Sequence, residues 1–96
     1  MTEAMFYVLL TLVHPNHGYQ LMTSIKEVSN GRIIMGPGTL YGILTRMQKE
    51  KLIRILEDDG RRKTYKITEA GLAALHEEYK RLGNMVEDGQ FLRGNI

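Results

Sequence analysis

The segment IIMGPGTLYGILTRM, from Ile33 to Met47, places three glycines close together after a short β-branched run. A glycine-rich turn at the start of a helix can hold a phosphate, because its backbone amides point at the anion and no side chain blocks the approach. Dinucleotide-binding folds use such a turn: a strand, then G-x-G-x-x-G, then a helix, with an acid about 20 residues further on. One interpretation of the segment is therefore a phosphate cradle, and the other is the start of a helix that docks elsewhere.

The glycine spacing departs from that fingerprint. Gly36, Gly38 and Gly42 form G-x-G-x-x-x-G, so the third glycine is one position late. Tyr41 stands where a small residue should let helix and strand pack closely. The remaining parts of the fingerprint have candidates, namely strands at Arg32–Met35 and Leu52–Leu56 and the acids Glu57, Asp58 and Asp59. A partial match of this kind is weak, so the surrounding elements decide between the two interpretations.

Hydrophobic spacing predicts three helices, a hairpin and a final helix. The helices are expected at Thr2–Val13, Tyr19–Ser29 and Gly38–Lys51, with the last one running from the N-cap Thr68 to Asp88. The strands are expected at Ile53–Glu57 and Lys63–Ile67, joined by a DDGRR turn. This order predicts a mainly α (α+β) fold, a winged helix-turn-helix with a C-terminal dimerisation helix.

The hairpin argues against the phosphate cradle of a dinucleotide fold. Its first strand turns straight back instead of leading into a crossover helix, so the geometry that such a site requires is absent. Gly36-Pro37-Gly38 then becomes the turn of the helix-turn-helix. In this fold the third helix enters the major groove of DNA, and the hairpin tip, or wing, contacts the sugar-phosphate backbone.

Two groups of side chains are predicted to bind DNA. The recognition helix turns its apolar residues inward and exposes glycines, hydroxyls and cations, while the wing carries three consecutive cations that folding does not require. These predicted DNA-binding residues are Gly38, Thr39, Tyr41, Gly42, Thr45, Arg46, Lys49, Arg61, Arg62 and Lys63. The alternatives are a solvated charged face, tolerated surface glycines and, for Tyr41 at the edge of the apolar face, a core position.

Composition narrows the function classes further. The chain has 96 residues, a net charge of +2 and no cysteine, which fits one domain without disulfides, thiolate metal sites or a cysteine nucleophile. The apolar run FYVLLTLV is too short to cross a bilayer and follows no Lys or Arg, so a cytoplasmic protein without membrane attachment is expected. His14 and His17 lack further ligands at suitable spacing, and we predict no metal, no cofactor and no enzymatic activity.

The last helix predicts a homodimer. Its apolar residues recur at intervals of three and four, the pattern of a helix–helix seam, and the first helix is apolar on more than one side. So small a domain cannot cover both surfaces by itself. The predicted dimer interface is formed by Phe6, Leu10, Leu72, Leu75, Tyr79, Leu82 and Val86. The chain is thus divided into a DNA-binding domain, residues 1–67, and a dimerisation helix with a short tail, residues 68–96.

Three longer motifs resemble the PadR-like transcriptional regulators over nearly the whole chain. HGYQLM is similar to their second-helix signature, GTLYGILTRMQKEKLI to their recognition helix, and GRRKTYKITEAGLAAL to their wing and the start of the dimer helix. The resemblance implies a homodimeric repressor that binds a palindromic operator. It places His17, Gly18, Tyr19, Thr39, Tyr41 and the wing cations at or near DNA.

The resemblance also bears on ligands and on one departure from the family pattern. Some small members stack aromatic compounds on a tryptophan at the dimer interface, so a small aromatic or hydrophobic effector is among the partners implied. This chain has no tryptophan, and that mode of stacking does not carry over. Lys51 stands where the family usually has glycine. Two other functions stay open on the residues alone: a winged-helix module whose basic wing meets an acidic protein, and a fragment of a dinucleotide enzyme.

Overall fold

The computed structural model describes residues 1–94 as four helices and a small sheet. The helices are α1 (Glu3–Thr11), α2 (Gly18–Val28), α3 (Pro37–Lys49) and α4 (Glu69–Asp88), and a 3₁₀ turn follows at Gln90–Arg93. The strands are β1 (Asn16–His17), β2 (Ile53–Asp58) and β3 (Lys63–Ile67), which pair antiparallel in the order β1-β3-β2. The predicted winged helix-turn-helix is confirmed, with helix ends within two residues of those expected.

The helix ends follow from local backbone chemistry. Helix α1 begins where the Thr2 hydroxyl accepts the Met5 amide at 3.1 Å, and it ends two residues before the predicted Val13. Helix α3 closes in a Schellman motif, in which the amides of Lys51 and Leu52 donate to carbonyls of the last turn. Lys51 has φ +62°, a left-handed conformation that favours glycine, and this fits the glycine that the family resemblance implies at that position.

Strand β1 was not predicted, because the segment around it was expected to form only a turn. Asn16 and His17 pair with Tyr65 and Thr64 of the central strand β3. Two residues are too few to show the alternation by which a strand is recognised from sequence. Strand β1 matters because its pairing with β3 fixes the start of α2 against the base of the wing.

The glycine segment forms no strand ahead of α3. A buried hydroxyl holds this turn instead: Ser29 Oγ accepts the Ile33 amide at 3.0 Å and donates to the Lys26 carbonyl at 3.2 Å. Gly36 is the N-cap of α3, and Pro37 occupies its first turn, where a missing amide costs nothing. The recognition helix therefore begins one residue earlier than the predicted Gly38.

The first turns of α4 are packed against the rest of the chain. Thr68 caps α4 by accepting the Gly71 amide at 3.0 Å and donates to the Lys51 carbonyl at 2.7 Å. Leu75 is only 6% exposed and belongs to the hydrophobic core of its own subunit. Little of its surface is therefore left for the predicted dimer seam, since the chain itself already covers this side chain. No later residue of α4 is buried, and the helix projects to give an elongated molecule of 56 × 26 × 19 Å.

Candidate nucleic-acid interface

Helix α3 presents an open face to solvent. Leu40, Leu44 and Met47 are buried, which leaves the opposite side free of packing. A Cβ added at Gly38 or Gly42 would meet nothing within 4 Å. The predicted α3 residues on or beside this side are all exposed: Gly38, Thr39, Tyr41, Gly42, Thr45, Arg46 and Lys49. The backbone of α3 can therefore be approached closely at two points, as the exposed glycines indicated.

Two of the polar side chains on this face already have partners within the helix. The Thr45 hydroxyl donates to the Tyr41 carbonyl at 2.8 Å. Arg46 Nε lies 3.3 Å from Glu50 Oε1, an exposed ion pair of the kind that contributes little to stability. Arg46 can therefore exchange this carboxylate for a nucleic-acid partner at small cost.

The wing is built around two aspartates. The Asp59 carboxylate accepts the amides of Arg61 and Arg62 at 3.0 and 2.8 Å, and Asp58 accepts the amide of Gly60, which has φ +88°. The backbone amides of Arg62 and Arg61 hold the pKa of Asp59 below its ordinary value of 3.8. Tight turn bonds thus orient the tip while the side chains at its end stay exposed.

The three wing cations have no salt-bridge partner among residues 1–94. The ion pairs of this part of the chain join Arg32 to Glu3, Arg46 to Glu50 and Arg81 to Glu78. Arg61, Arg62 and Lys63 are exposed and absent from those pairs. They concentrate positive charge at the tip, which is the electrostatic requirement for contacting a phosphate backbone.

A groove joins the recognition helix to the wing. It is lined by Gly18, Tyr19, Tyr41, Thr45, Gln48, Asp58, Gly60, Arg61, Arg62, Lys63 and Tyr65. The fold thus brings six of the predicted DNA-binding residues together, although they come from three separate segments of the sequence. Gly38, Thr39, Gly42, Arg46 and Lys49 lie outside this groove on the exposed surface of α3.

The groove also contains residues that the sequence did not single out. Gln48 follows Tyr41 and Thr45 on the same stripe of α3 and could have been found from helical spacing. Tyr65 is 6% exposed on the central strand, two residues before the buried Ile67 on the same face. This spacing indicates a core residue and does not indicate a binding role. Its place at the groove depends on how the wing packs, which no local pattern reveals.

Close packing holds the start of α2 against α3. A Cβ added at Gly18 would lie 2.7 Å from the Tyr41 hydroxyl oxygen, so the outer end of the Tyr41 side chain would have to shift to admit it. His17 caps α2 through its ring, since Nδ1 accepts the Gln20 amide at 3.2 Å. Tyr19 is 78% exposed beside the groove. The glycine of the His17-Gly18-Tyr19 motif thus lets the Tyr41 ring pack against the start of α2.

A second surface lies on α4, away from the groove. Leu72, Tyr79, Leu82 and Val86 are 36–73% exposed along one stripe, whereas Phe6 and Leu10 on α1 are half-buried. A cavity between α1 and α4 is lined by Met1, Glu3, Phe6, Tyr7, Arg32, Glu78, Arg81 and Leu82.

Within residues 1–94, no cluster of three or more His, Cys, Asp or Glu side chains could hold a metal, and no helix could span a membrane.

Comparison with known proteins places the chain in a family. The profile of the transcriptional regulator PadR-like family matches residues 7–77. An uncharacterized 37.1 kDa protein in transposon TN4556 of Streptomyces fradiae is 40% identical over 77 residues, a match that covers 79% of this chain and spans only 22% of that protein. The crystal structure of a PadR family transcriptional regulator from Eggerthella lenta DSM 2243 has a TM-score of 0.77 and 28% identity, covering 96% of this chain and 83% of that one. A PadR-like regulator from Bacillus cereus strain ATCC 14579 has a TM-score of 0.71 and 31% identity over 96% and 93% of the two chains. The chain belongs to the PadR-like family of transcriptional regulators.

Proposed function

We propose that this regulator is a repressor that binds a palindromic operator as a homodimer. The observation that carries the proposal is the groove in which the open face of α3 meets three wing cations without salt-bridge partners among residues 1–94. A major-groove helix beside a basic wing supplies base contacts and backbone contacts from one rigid unit. Residues 1–67 would bind DNA, and residues 68–96 would pair the subunits.

The exposed apolar stripe on α4 supports the pairing. Isolated exposed apolar residues are common, but a continuous stripe on a projecting helix marks an interaction surface. Two subunits paired through α4 would present two recognition helices related by a two-fold axis. The matching operator has two half-sites separated by about one helical turn, about 34–36 Å.

Relief of repression by a small aromatic or hydrophobic effector is a further part of the proposal. The cavity between α1 and α4 supports it, because Phe6, Tyr7 and Leu82 give that cavity an apolar lining next to the proposed dimer surface. DNA binding by the free protein does not depend on this part.

Selection of bound DNA from a random pool, followed by gel-shift titration against salt, tests the DNA-binding proposal. We expect a palindromic site, and an affinity that falls steeply with salt because each phosphate contact releases counterions. Alanine at Arg61, Arg62 and Lys63 should weaken binding to all duplexes about equally and flatten the salt slope. Alanine at Thr45 or Arg46 should change sequence preference more than general affinity.

The matched control removes the same charge away from the groove, by alanine at Lys26, Lys80 and Arg93, which do not line it. This variant should keep most of the affinity. Binding that shows no salt dependence, or no preference over random duplex, would contradict the proposal and favour a protein partner for the basic wing. Equal losses in the wing variant and its control would show that net charge, and not the wing, determines binding.

A further inference from the structure

The Tyr65 hydroxyl has no hydrogen-bond partner among the side chains and backbone of residues 1–94. Its side chain is 6% exposed, and its residue lies on the central strand β3, paired with Asn16 on one side and Ile55 on the other. Among residues 1–94, the Tyr65 hydroxyl makes no side-chain hydrogen bond, and no buried side-chain polar atom lacks a partner, so this hydroxyl is open to the groove between α3 and the wing that its side chain lines. The ring is buried while the hydroxyl reaches the groove, so this group is available to a ligand that enters there.

The groups around Tyr65 define what that ligand is. Tyr41 supplies a second hydroxyl, which lies beside Gly18 at the start of α2. The wing supplies the three cations, and α2 begins at the same groove with its positive dipole end. The one acid of the groove, Asp58, is already engaged by the Gly60 amide. Neutral donors, cations and a helix N-terminus together suit a single oxyanion.

Tyr65 is also kept in the form that donates. Burial first, and then the charges of Tyr41 and Asp58, raise the pKa of its hydroxyl above the ordinary value of 10.0. The hydroxyl is therefore protonated at neutral pH and carries a hydrogen for an anion. If Tyr65 lost this proton, its negatively charged phenolate would repel a phosphate.

We propose that the Tyr65 and Tyr41 hydroxyls donate hydrogen bonds to one backbone phosphate of the bound DNA, seated between α3 and the wing. We call this arrangement the tyrosine seat. It rests on the proposed function, because the phosphate belongs to the operator duplex. The seat assigns a binding role to Tyr65, which lies outside every predicted DNA-binding position. Its rigid position on the central strand fixes how far the wing stands from the recognition helix when both contact DNA.

The tyrosine seat is tested by Tyr65→Phe, which keeps the ring and removes only the hydroxyl. A hydrogen bond to a charged group is worth about tenfold in affinity, so the dimer with two seats should lose about a hundredfold. The loss should be equal for operator and random duplex, and the salt slope should not change because a neutral donor releases no counterion. Thr23→Val is the matched control, since it removes an exposed hydroxyl from α2 outside the groove, and it should bind as wild type.

Operators with single neutral methylphosphonates identify the phosphate directly. Wild-type protein should lose affinity most at one phosphate in each half-site, and Tyr65→Phe should be insensitive at that same phosphate. Tyr41→Phe provides a second variant with the same expected pattern if Tyr65→Phe is too unstable to assay. Wild-type affinity in a folded Tyr65→Phe, or undiminished sensitivity at every phosphate, would overturn the seat. Failure of the wild-type protein to bind any duplex would instead refute the proposed function itself.

Discussion

At the scale of single residues, the glycines divide into positions that sequence explains and positions that only the structure explains. Gly42 lies in the middle of α3 on an open face, and its spacing predicted that exposure. Gly71 lies on α4, where a Cβ would stand 2.0 Å from the Leu52 carbonyl oxygen. That clash involves a residue from outside α4, so the local sequence around Gly71 does not predict it.

Alanine at these two glycines should therefore have opposite effects on stability. Gly71→Ala should lower the free energy of unfolding by about 1–3 kcal/mol, because α4 must move off the Leu52 backbone. Gly42→Ala should raise it by about 0.5–1 kcal/mol, since helix formation costs alanine less entropy than glycine. Gly42→Ala should nevertheless weaken operator binding, if the exposed backbone approaches DNA closely.

Denaturant unfolding and gel-shift titration of both variants check this contrast. Equal stability of wild type and Gly71→Ala would show that α4 is free to shift at its N-terminus. Full operator affinity in Gly42→Ala would show that the glycine is tolerated at the surface without a binding role.

At the scale of elements, sequence patterns locate structure where the signal is local. The four helices were predicted because their apolar residues repeat at helical spacing and because caps such as Thr68 are readable. Strand β1 was missed because its pairing with β3 comes from a segment far along the chain. The wing was predicted as a hairpin, but the bulge between Ile55 and Glu57, which re-aims its outer part, has no sequence signature here.

The wing tip provides a prediction about pH. The folded tip lowers the pKa of Asp59 below 3.8, so its turn bonds contribute stability that is present above that value. This contribution should be lost as the pH falls through the lowered pKa, because a protonated carboxyl is a poorer acceptor. The amide resonances of Arg61 and Arg62 should therefore shift together below pH 3.8.

Two variants isolate the carboxylate responsible for that titration. In Asp59→Asn the common shift of the two amides should vanish, whereas Glu57→Gln, an acid without these turn bonds, should leave it unchanged. Titration of the Arg61 and Arg62 amides that persists in Asp59→Asn would assign the effect to another acid.

At the scale of the whole molecule, the projecting α4 carries an apolar stripe that residues 1–94 leave exposed. Its 20 residues extend about 30 Å, and its apolar stripe leaves the core after Leu75. Periodicity alone placed Leu75 in the same seam as Leu82 and Val86, because helical spacing reports which face is apolar and not what covers it. The division between core and exposed apolar surface along α4 is therefore a tertiary property.

Aspartate at Leu82 and Val86 tests the role of the outer stripe. These side chains are 36% and 73% exposed in the subunit, so the fold should survive the change, while a paired interface would lose about 1.5–3 kcal/mol for each buried apolar side chain. Sedimentation should show a folded monomer, and operator binding should disappear although α3 is untouched.

Ala73→Asp with Asn84→Asp adds the same charge to exposed positions off the stripe and should remain a dimer that binds DNA. Leu75→Asp differs from both, since a charge in the subunit core should unfold the chain. A dimeric, DNA-binding Leu82→Asp/Val86→Asp protein would show that the subunits pair through another surface.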